Sequence, residues 1–205
     1  MLDQPRSITL LSLAQAGDRG ALNQLLSDLQ DGLYGYLVRL VGDKHLAEDI
    51  LQEVFVLIWR KLFWLRDPAV FRPWAYRIAS REAFRRLRKH RFQAKMLGHE
   101  TLLAELPARE VPPFPHGWAE ALPGLLELLS PASRAVLILH YVQGMTLNEV
   151  ADVLEVSPGT VKSRLAYGLA TLRQQIGPDG SLPPPAQLPH DPGTHQKGAV
   201  HDRTD

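Results

Sequence analysis

Apolar residues recur every three or four positions over most of the first half of the chain, as in helices that bury one face. A short helix is predicted at 8–16, and Gly17 and Asp18 end it. The clearest pattern begins at Ala21 and predicts a long helix with Gly42 as its C-cap. Its buried face is formed by Leu22, Leu25, Leu26, Leu29, Leu33, Tyr36, Leu37 and Leu40.

Two further long helices are predicted before residue 96. The first carries apolar residues from Leu46 to Leu62 and stops before Asp67-Pro68, because a residue that precedes proline disfavours helix. The second begins at Pro73, a favourable first helical position, and runs to about Lys95. No segment alternates with a period of two for long enough to predict a strand. The pattern therefore predicts an all-α fold.

Prolines divide the rest of the chain. Between 107 and 123 they are too closely spaced for a continuous helix, which predicts a linker. Helical patterning resumes at Leu125, and beyond Gly177 the chain is rich in proline and poor in aliphatic residues, as disordered tails are. The predicted organisation is a helical domain at 1–95, a flexible proline-rich linker at 96–123, a second small helical domain at 124–176 and a disordered tail at 177–205.

The stretch from Met145 to Leu165 predicts two helices joined by a tight turn. Thr146 and Glu149 have the spacing of a capping box, which satisfies two free amides at a helix start. A turn follows at Glu155–Val156, and Ser157-Pro158 can begin the second helix. Its hydroxyls and cations near the exposed N-terminal end are Ser157, Thr160, Lys162, Ser163 and Arg164.

A helix start of this kind suits contact with phosphates and base edges in a major groove. The stretch therefore predicts a DNA-binding helix-turn-helix. The alternative is an ordinary helical hairpin with a solvated, charged face. The coincidence of cap, turn and basic second helix favours DNA binding.

Composition excludes several classes of protein. Cysteine is absent, which excludes disulfides and thiolate zinc sites. No apolar run approaches the ~18 residues of a membrane span, and the N-terminus does not resemble a signal peptide. We therefore expect a cytoplasmic protein that is not itself a membrane protein. The histidines show no pairing with carboxylates or serines at mechanistic spacing, so we predict no catalytic residue, metal or cofactor.

The net charge of +1 leaves the partner open, but the helix from Pro73 concentrates cations. They are Arg77, Arg81, Arg85, Arg86, Arg88, Lys89, Arg91 and Lys95, with only Glu82 in opposition. Because so many cations repel one another unless something anionic neutralises them, we expect a nucleic-acid ligand. Trp74 and Tyr76 share the helix and could stack on unpaired bases, although they could also be core residues.

The preceding helix has the opposite charge. Glu48, Asp49 and Glu53 border its apolar stripe, with Gln52 beside them. An acidic amphipathic helix next to a basic one suggests that one face docks a protein while another binds nucleic acid. Taken alone, the acidic residues could simply complement a helix dipole.

Three motifs together resemble a bacterial RNA polymerase sigma factor of the extracytoplasmic-function (ECF) type. They are GDKHLAEDILQEVFVLIWRKL, FRPWAYRIASREAFRRLRKHR and LSPASRAVLILHYVQGMTLNEVADVLEVSPGTVKSRL. The resemblance covers roughly residues 10–95 and 124–175. It implies a sigma region 2 helical bundle and a sigma region 4 helix-turn-helix. It also implies a protein that binds core RNA polymerase and directs promoter-specific initiation, while the polymerase does the chemistry.

The resemblance further implies where each partner binds. The clamp helices of the largest polymerase subunit would contact Glu48, Asp49, Gln52, Glu53, Phe55 and Trp59. The promoter minus-ten element would be recognised and melted by Trp74, Tyr76, Arg77, Arg81, Arg85 and Arg88. The minus-thirty-five element would contact Ser157, Thr160, Lys162, Ser163 and Arg164. The flap of the second-largest subunit and an anti-sigma factor would be further partners.

The sequence departs from the family pattern in two places. The family commonly has asparagine and aspartate where Arg81 and Arg85 stand, which predicts stronger attraction to the DNA backbone and relaxed base readout. After Leu165 the second helix lacks the usual further cations, which predicts weaker and less salt-dependent DNA binding. Gly168 in this helix should cost about 1 kcal/mol relative to alanine.

Two other functions stay open at this point. SPGTVKSRL also resembles response-regulator DNA-binding domains, so the chain could be a regulator that binds an operator as a dimer. That alternative requires a separate sensing domain, usually with strands. The chain could also be a sigma-like helical adaptor that binds protein only.

Overall fold

The structure is a computed structural model that describes residues 4–96 and 122–175. These ranges contain α-helices joined by short turns and no strand, which confirms the all-α prediction. Most of the predicted linker and the predicted tail lie outside the described residues. The helices are α1 Gln4–Gln15, α2 Arg19–Val41, α3 Lys44–Lys61, α4 Phe71–Met96, α5 Leu122–Glu127, α6 Pro131–Leu137, α7 Leu147–Leu154 and α8 Pro158–Gln175.

Helices α1 to α4 pack into a first helical unit with α2 at its centre. Asp18 caps α2 by accepting hydrogen bonds from the Gly20 and Ala21 amides at 2.7 and 3.0 Å. Gly42 ends the helix with a φ of 77°, in the left-handed region that favours glycine. The predicted end of this helix is therefore confirmed, and its start lies two residues before the predicted one.

The connection between α3 and α4 contains two short 3-10 turns, at Leu62–Trp64 and Pro68–Val70. Asp67 caps the second turn by accepting from the Ala69 amide at 2.9 Å. Because this turn leads directly into a helix, α4 begins before Pro73, where the sequence placed its start. Helix α1 holds the connection in place, since Gln15 Nε2 donates to the Leu62 and Leu65 carbonyls, both at 2.8 Å.

The second helical unit comprises α5 to α8. Helix α6 continues as a five-residue π-helical turn, Ile138–Val142, which the sequence analysis did not predict. Helix α8 crosses α6 closely at Gly168. A Cβ atom there would lie 2.9 Å from Leu137 Cδ1, so this glycine permits the crossing. The cost in helix propensity is thus offset by packing between helices.

The two units pack directly against each other and share one hydrophobic core. Arg134 of α6 links them, since its Nη1 donates to the Leu40 carbonyl at the end of α2 at 3.0 Å. Its Nη2 donates to the Glu127 and Leu129 carbonyls at 3.1 and 3.2 Å. Burial lowers the pKa of Arg134, and the nearby Glu127 only partly opposes this. The two helical units are therefore in direct contact, and we call this the closed arrangement.

Candidate functional site

Helix α3 presents an acidic face to solvent. Asp43 caps it by accepting from the Leu46 amide at 3.0 Å. Its apolar stripe, with Ile50 and Val54 fully buried, points into the core. Because this stripe faces the core, Glu48, Asp49 and Gln52 on the opposite side of the helix are exposed. The two apolar residues predicted to contact the polymerase lie nearer the C-terminal end of α3. Trp59 is 55 % exposed, and Phe55 is half-buried.

Glu53, also predicted to lie on this face, is bound to α4 instead. Its carboxylate accepts from Arg85 Nη2 at 3.2 Å and from Arg86 Nη2. Both arginines also donate to Glu82, which is 7 % exposed. Burial alone would raise the pKa of Glu82, but hydrogen bonds led by that from Arg85 outweigh it and hold the pKa below its ordinary value.

A third arginine of α4 bonds to the helix-turn-helix. Arg81 Nε donates to Glu155 Oε2 at 2.6 Å, and Arg81 Nη2 donates to the other carboxylate oxygen. The hydrogen bond from Arg81 lowers the pKa of Glu155. Glu82 is the one acidic residue in the sequence of α4, but Glu53 and Glu155 from other elements also pair with its arginines. Arg81, Arg85 and Arg86 have carboxylate partners within the described chain, so their charge alone does not require nucleic acid.

The structure separates the six residues predicted for the minus-ten element. Arg81, Arg85 and Arg88 are exposed. Trp74 is half-buried with its ring centroid 6.2 Å from that of Phe71. Arg77 is half-buried, and its buried Nε has no hydrogen-bond partner among the described residues.

The prediction for Tyr76 is contradicted in this arrangement, because the residue is only 1 % exposed. Its hydroxyl donates to Gln143 Oε1 at 2.6 Å. Its ring lies 5.5 Å from that of Tyr36. Tyr76 therefore joins the two units and cannot stack on DNA here. The same helical spacing suits an aromatic residue in the core and one that stacks on bases, so the spacing alone did not distinguish these two roles.

The helix-turn-helix has the predicted capping geometry. Thr146 Oγ1 accepts from the Glu149 amide at 3.2 Å, and Glu149 Oε2 accepts from the Thr146 amide at 2.7 Å. Glu155 forms the turn in the left-handed region, with a φ of 55°. Ser157 Oγ accepts from the Thr160 amide at 3.1 Å and begins α8.

The polar residues at the start of α8 differ in accessibility. Ser157 and Lys162 are exposed, whereas Thr160, Ser163 and Arg164 are half-buried. The Ser157 and Thr160 hydroxyls lie 2.9 Å apart and bond to each other, so the cap uses part of their hydrogen-bonding capacity. The basic and hydroxyl groups still share one end of the helix, as predicted.

Comparison with known families decides the class of the protein. The model of sigma-70 region 2 matches residues 25–93, and that of sigma-70 region 4 matches residues 119–172. The chain belongs to the sigma-70 family of RNA polymerase sigma factors. Members of this family are not enzymes. In this sigma factor, region 2 occupies the place of the sensing domain that the regulator alternative required.

The relatives of this sigma factor include ECF proteins. It is 30 % identical to the ECF RNA polymerase sigma factor SigL of Mycobacterium tuberculosis, over 82 % of this chain and 97 % of SigL. It is 31 % identical to the probable RNA polymerase sigma factor RfaY of Xanthomonas campestris pv. campestris, over 80 % of this chain but 42 % of RfaY. These similarities place it in the ECF type.

A solved structure shares its fold. The structure of CnrH in complex with the cytosolic domain of CnrY superposes with a TM-score of 0.61 at 25 % identity. The match covers 84 % of this sigma factor and 96 % of CnrH. Within the described ranges, no helix combines the length and apolarity that crossing a bilayer requires.

Proposed function

We propose that this ECF sigma factor binds core RNA polymerase through the exposed face of α3. It then directs initiation through two DNA-contacting surfaces, one on α4 and one at the start of α8. The observation that carries this proposal is the exposed acidic face of α3 beside an arginine-rich α4, within the region 2 match. The polymerase supplies the chemistry, and the protein acts in the cytoplasm, where polymerase and promoters are.

Polymerase binding rests on both polar and apolar groups of α3. Asp49, Gln52 and Glu48 supply exposed acceptors and donors, and Trp59 supplies an exposed aromatic surface. Protein interfaces commonly combine an aromatic anchor with polar groups at the rim. Glu53 supports this surface from behind, since its bonds to Arg85 and Arg86 fix α3 against α4.

Promoter binding rests on cations and on a helix N-terminus. Arg81, Arg85 and Arg88 can bind phosphates of the minus-ten element once DNA displaces the carboxylates. At the minus-thirty-five element, Lys162 and Arg164 add cations to the N-terminus of α8, which itself favours anions. Tyr76 is buried between the two helical units in the structure, so it could reach DNA only if the units separate.

An anti-sigma factor is the proposed regulator. CnrH, which shares the fold, has been solved in complex with the cytosolic domain of CnrY. We infer that such a partner would cover the proposed polymerase-binding face of α3 in this chain. The exposed aromatic residues Trp59, Phe63 and Trp64 near its C-terminal end, at 55, 61 and 83 %, offer apolar area for such a partner.

Measured affinity for core polymerase tests the docking surface. Asp49→Arg should weaken binding by about tenfold or more, because it places a cation where the polymerase meets a carboxylate. Asp31→Arg makes the same change at an exposed position of α2 and is the matched control. Equal affinities for Asp49→Arg and the parent chain would remove Asp49 from the interface.

Promoter affinity of the assembled holoenzyme tests α8 separately. Arg164→Ala should weaken binding at promoters that depend on the minus-thirty-five element by about 1–3 kcal/mol, if the guanidinium contacts a base edge. The affinity of the Arg164→Ala chain for core RNA polymerase should not change. Unchanged binding at such promoters would remove Arg164 from the DNA surface.

A further inference from the structure

We propose that Glu155 occupies Arg81 in place of a DNA phosphate, so that the closed protein masks its own DNA-binding arginine. Opening of the two helical units would then exchange the carboxylate for phosphate. The ion pair would also bias the free protein towards the closed arrangement. This inference rests on the proposed DNA-binding role of α4.

The geometry of the pair is that of specific arginine–carboxylate recognition. Both oxygens of Glu155 accept from different nitrogens of Arg81, which is the bidentate arrangement that also binds phosphate. The side chains retain 61 and 43 % exposure, so water and salt reach the pair. An accessible contact of this kind is reversible and weaker than a buried one.

The backbone at Glu155 indicates that this carboxylate is not an ordinary turn residue. Glu155 is the one non-glycine residue with positive φ among the described residues. Glycine or asparagine adopts this conformation at lower cost. A strained glutamate, placed at the turn so that its side chain meets α4, points to a role in binding Arg81.

A second set of contacts fixes the alignment in which Arg81 meets Glu155. Gln143 accepts from the Tyr76 hydroxyl at 2.6 Å through its side chain and from Arg72 Nη2 at 2.7 Å through its carbonyl. Its Nε2 also donates to the Gly32 carbonyl at 3.4 Å. These bonds hold the segment before α7 against both α2 and α4.

The closed arrangement cannot bind both promoter elements at once. The minus-ten and minus-thirty-five elements lie about 25 base pairs apart, roughly 85 Å along a duplex. In the structure, Arg81 Nε of α4 lies 2.6 Å from Glu155 in the turn before α8. The protein must therefore open to act. The asparagine that is common in the family where Arg81 stands could not form the same charged pair.

Distance measurements by electron spin resonance on the full chain test the conformational part without DNA or polymerase. The chain has no cysteine, so His45→Cys and Ala170→Cys introduce unique label sites at exposed positions of α3 and α8. Glu155→Arg should increase the long-distance population at least about threefold, because attraction becomes repulsion. Arg81→Glu combined with Glu155→Arg should restore the parent distribution.

Two matched variants control for a general effect of charge. Lys89→Glu and Asp152→Arg make the same reversals elsewhere on α4 and α7 and should leave the distances unchanged. Circular dichroism checks that every variant keeps its helices. A parent-like distribution for Glu155→Arg, or no restoration by the swap, would overturn the ion pair as a determinant of closure.

Binding of the free protein to a short duplex of arbitrary sequence tests the masking. Glu155→Gln should raise affinity about two- to fivefold in the parent chain, and in an Arg81→Gln background by no more than Asp152→Asn does. Asp152→Asn should change affinity equally in both backgrounds. A gain from Glu155→Gln that is as large in the Arg81→Gln background as in the parent chain would overturn masking. If no variant binds duplex, masking by Glu155 is overturned, the distance measurements still decide the ion pair, and promoter binding by the holoenzyme decides the role of α4 separately.

Discussion

Replacing Arg134 by methionine should substantially lower the free energy of unfolding of the protein. Arg134 is 8 % exposed, and its guanidinium donates to three carbonyls, those of Leu40, Glu127 and Leu129. These carbonyls lie at or near the ends of α2 and α5, where a helix leaves its last acceptors unpaired. One side chain thus completes the hydrogen bonding of two helices and joins both units.

The size of the loss follows from two opposing effects. Each buried acceptor left without a donor costs about 1–3 kcal/mol. Methionine also removes the cost of burying a guanidinium, which is several kcal/mol and which the lowered pKa of Arg134 reflects. Since Glu127 is exposed, its carbonyl can recover a hydrogen bond from water. We expect a net loss of about 3 kcal/mol in the free energy of unfolding.

Urea unfolding followed by far-ultraviolet circular dichroism measures this loss. Arg134→Lys keeps the charge but lacks the forked donors, so its loss should be smaller than that of Arg134→Met. Arg173→Met removes an exposed arginine of α8 and should stay within about 0.5 kcal/mol of the parent. A stability of Arg134→Met equal to that of Arg173→Met would refute the reasoning.

Three further predictions concern stability. Gly168→Ala should lose about 1 kcal/mol, because overpacking against Leu137 exceeds the gain in helix propensity, whereas exposed Gly159→Ala should lose nothing; equal urea midpoints would contradict this. Thr146→Ala should cost about 1 kcal/mol through its capping box, and an unchanged melting curve would count against the cap. The stabilisation from Glu82 is present above its ordinary pKa of 4.5 and is lost as pH falls through its lowered folded-state pKa. Glu82→Gln should therefore make the free energy of unfolding depend less steeply on pH in that acidic range. An unaltered slope would argue against the ion-pair network.

Local signals in the sequence predicted the helices and their ends well. The Gly42 C-cap, the Thr146–Glu149 capping box and the Ser157 N-cap each depend on residues within a few positions of one another. Such patterns can be recognised without a tertiary structure. They predicted the two helices and the turn between Met145 and Leu165 correctly.

Contacts between distant residues could not be predicted in this way. Arg81 and Glu155 are 74 positions apart, and Arg86 and Glu53 are 33 apart. The charge pattern of α4 alone therefore suggested unpaired cations. The same limit explains Tyr76, whose burial depends on Gln143 of the other unit.

Initiation reconstituted from purified components tests the central claim most directly. Core RNA polymerase with this chain would be incubated on genomic DNA fragments, and the transcript 5′ ends mapped. We expect a small set of start sites that core alone does not use, lost with Asp49→Arg and kept with Asp31→Arg. Failure to form a stable complex with core, or transcripts identical to those of core alone, would contradict the assignment as a promoter-directing sigma factor.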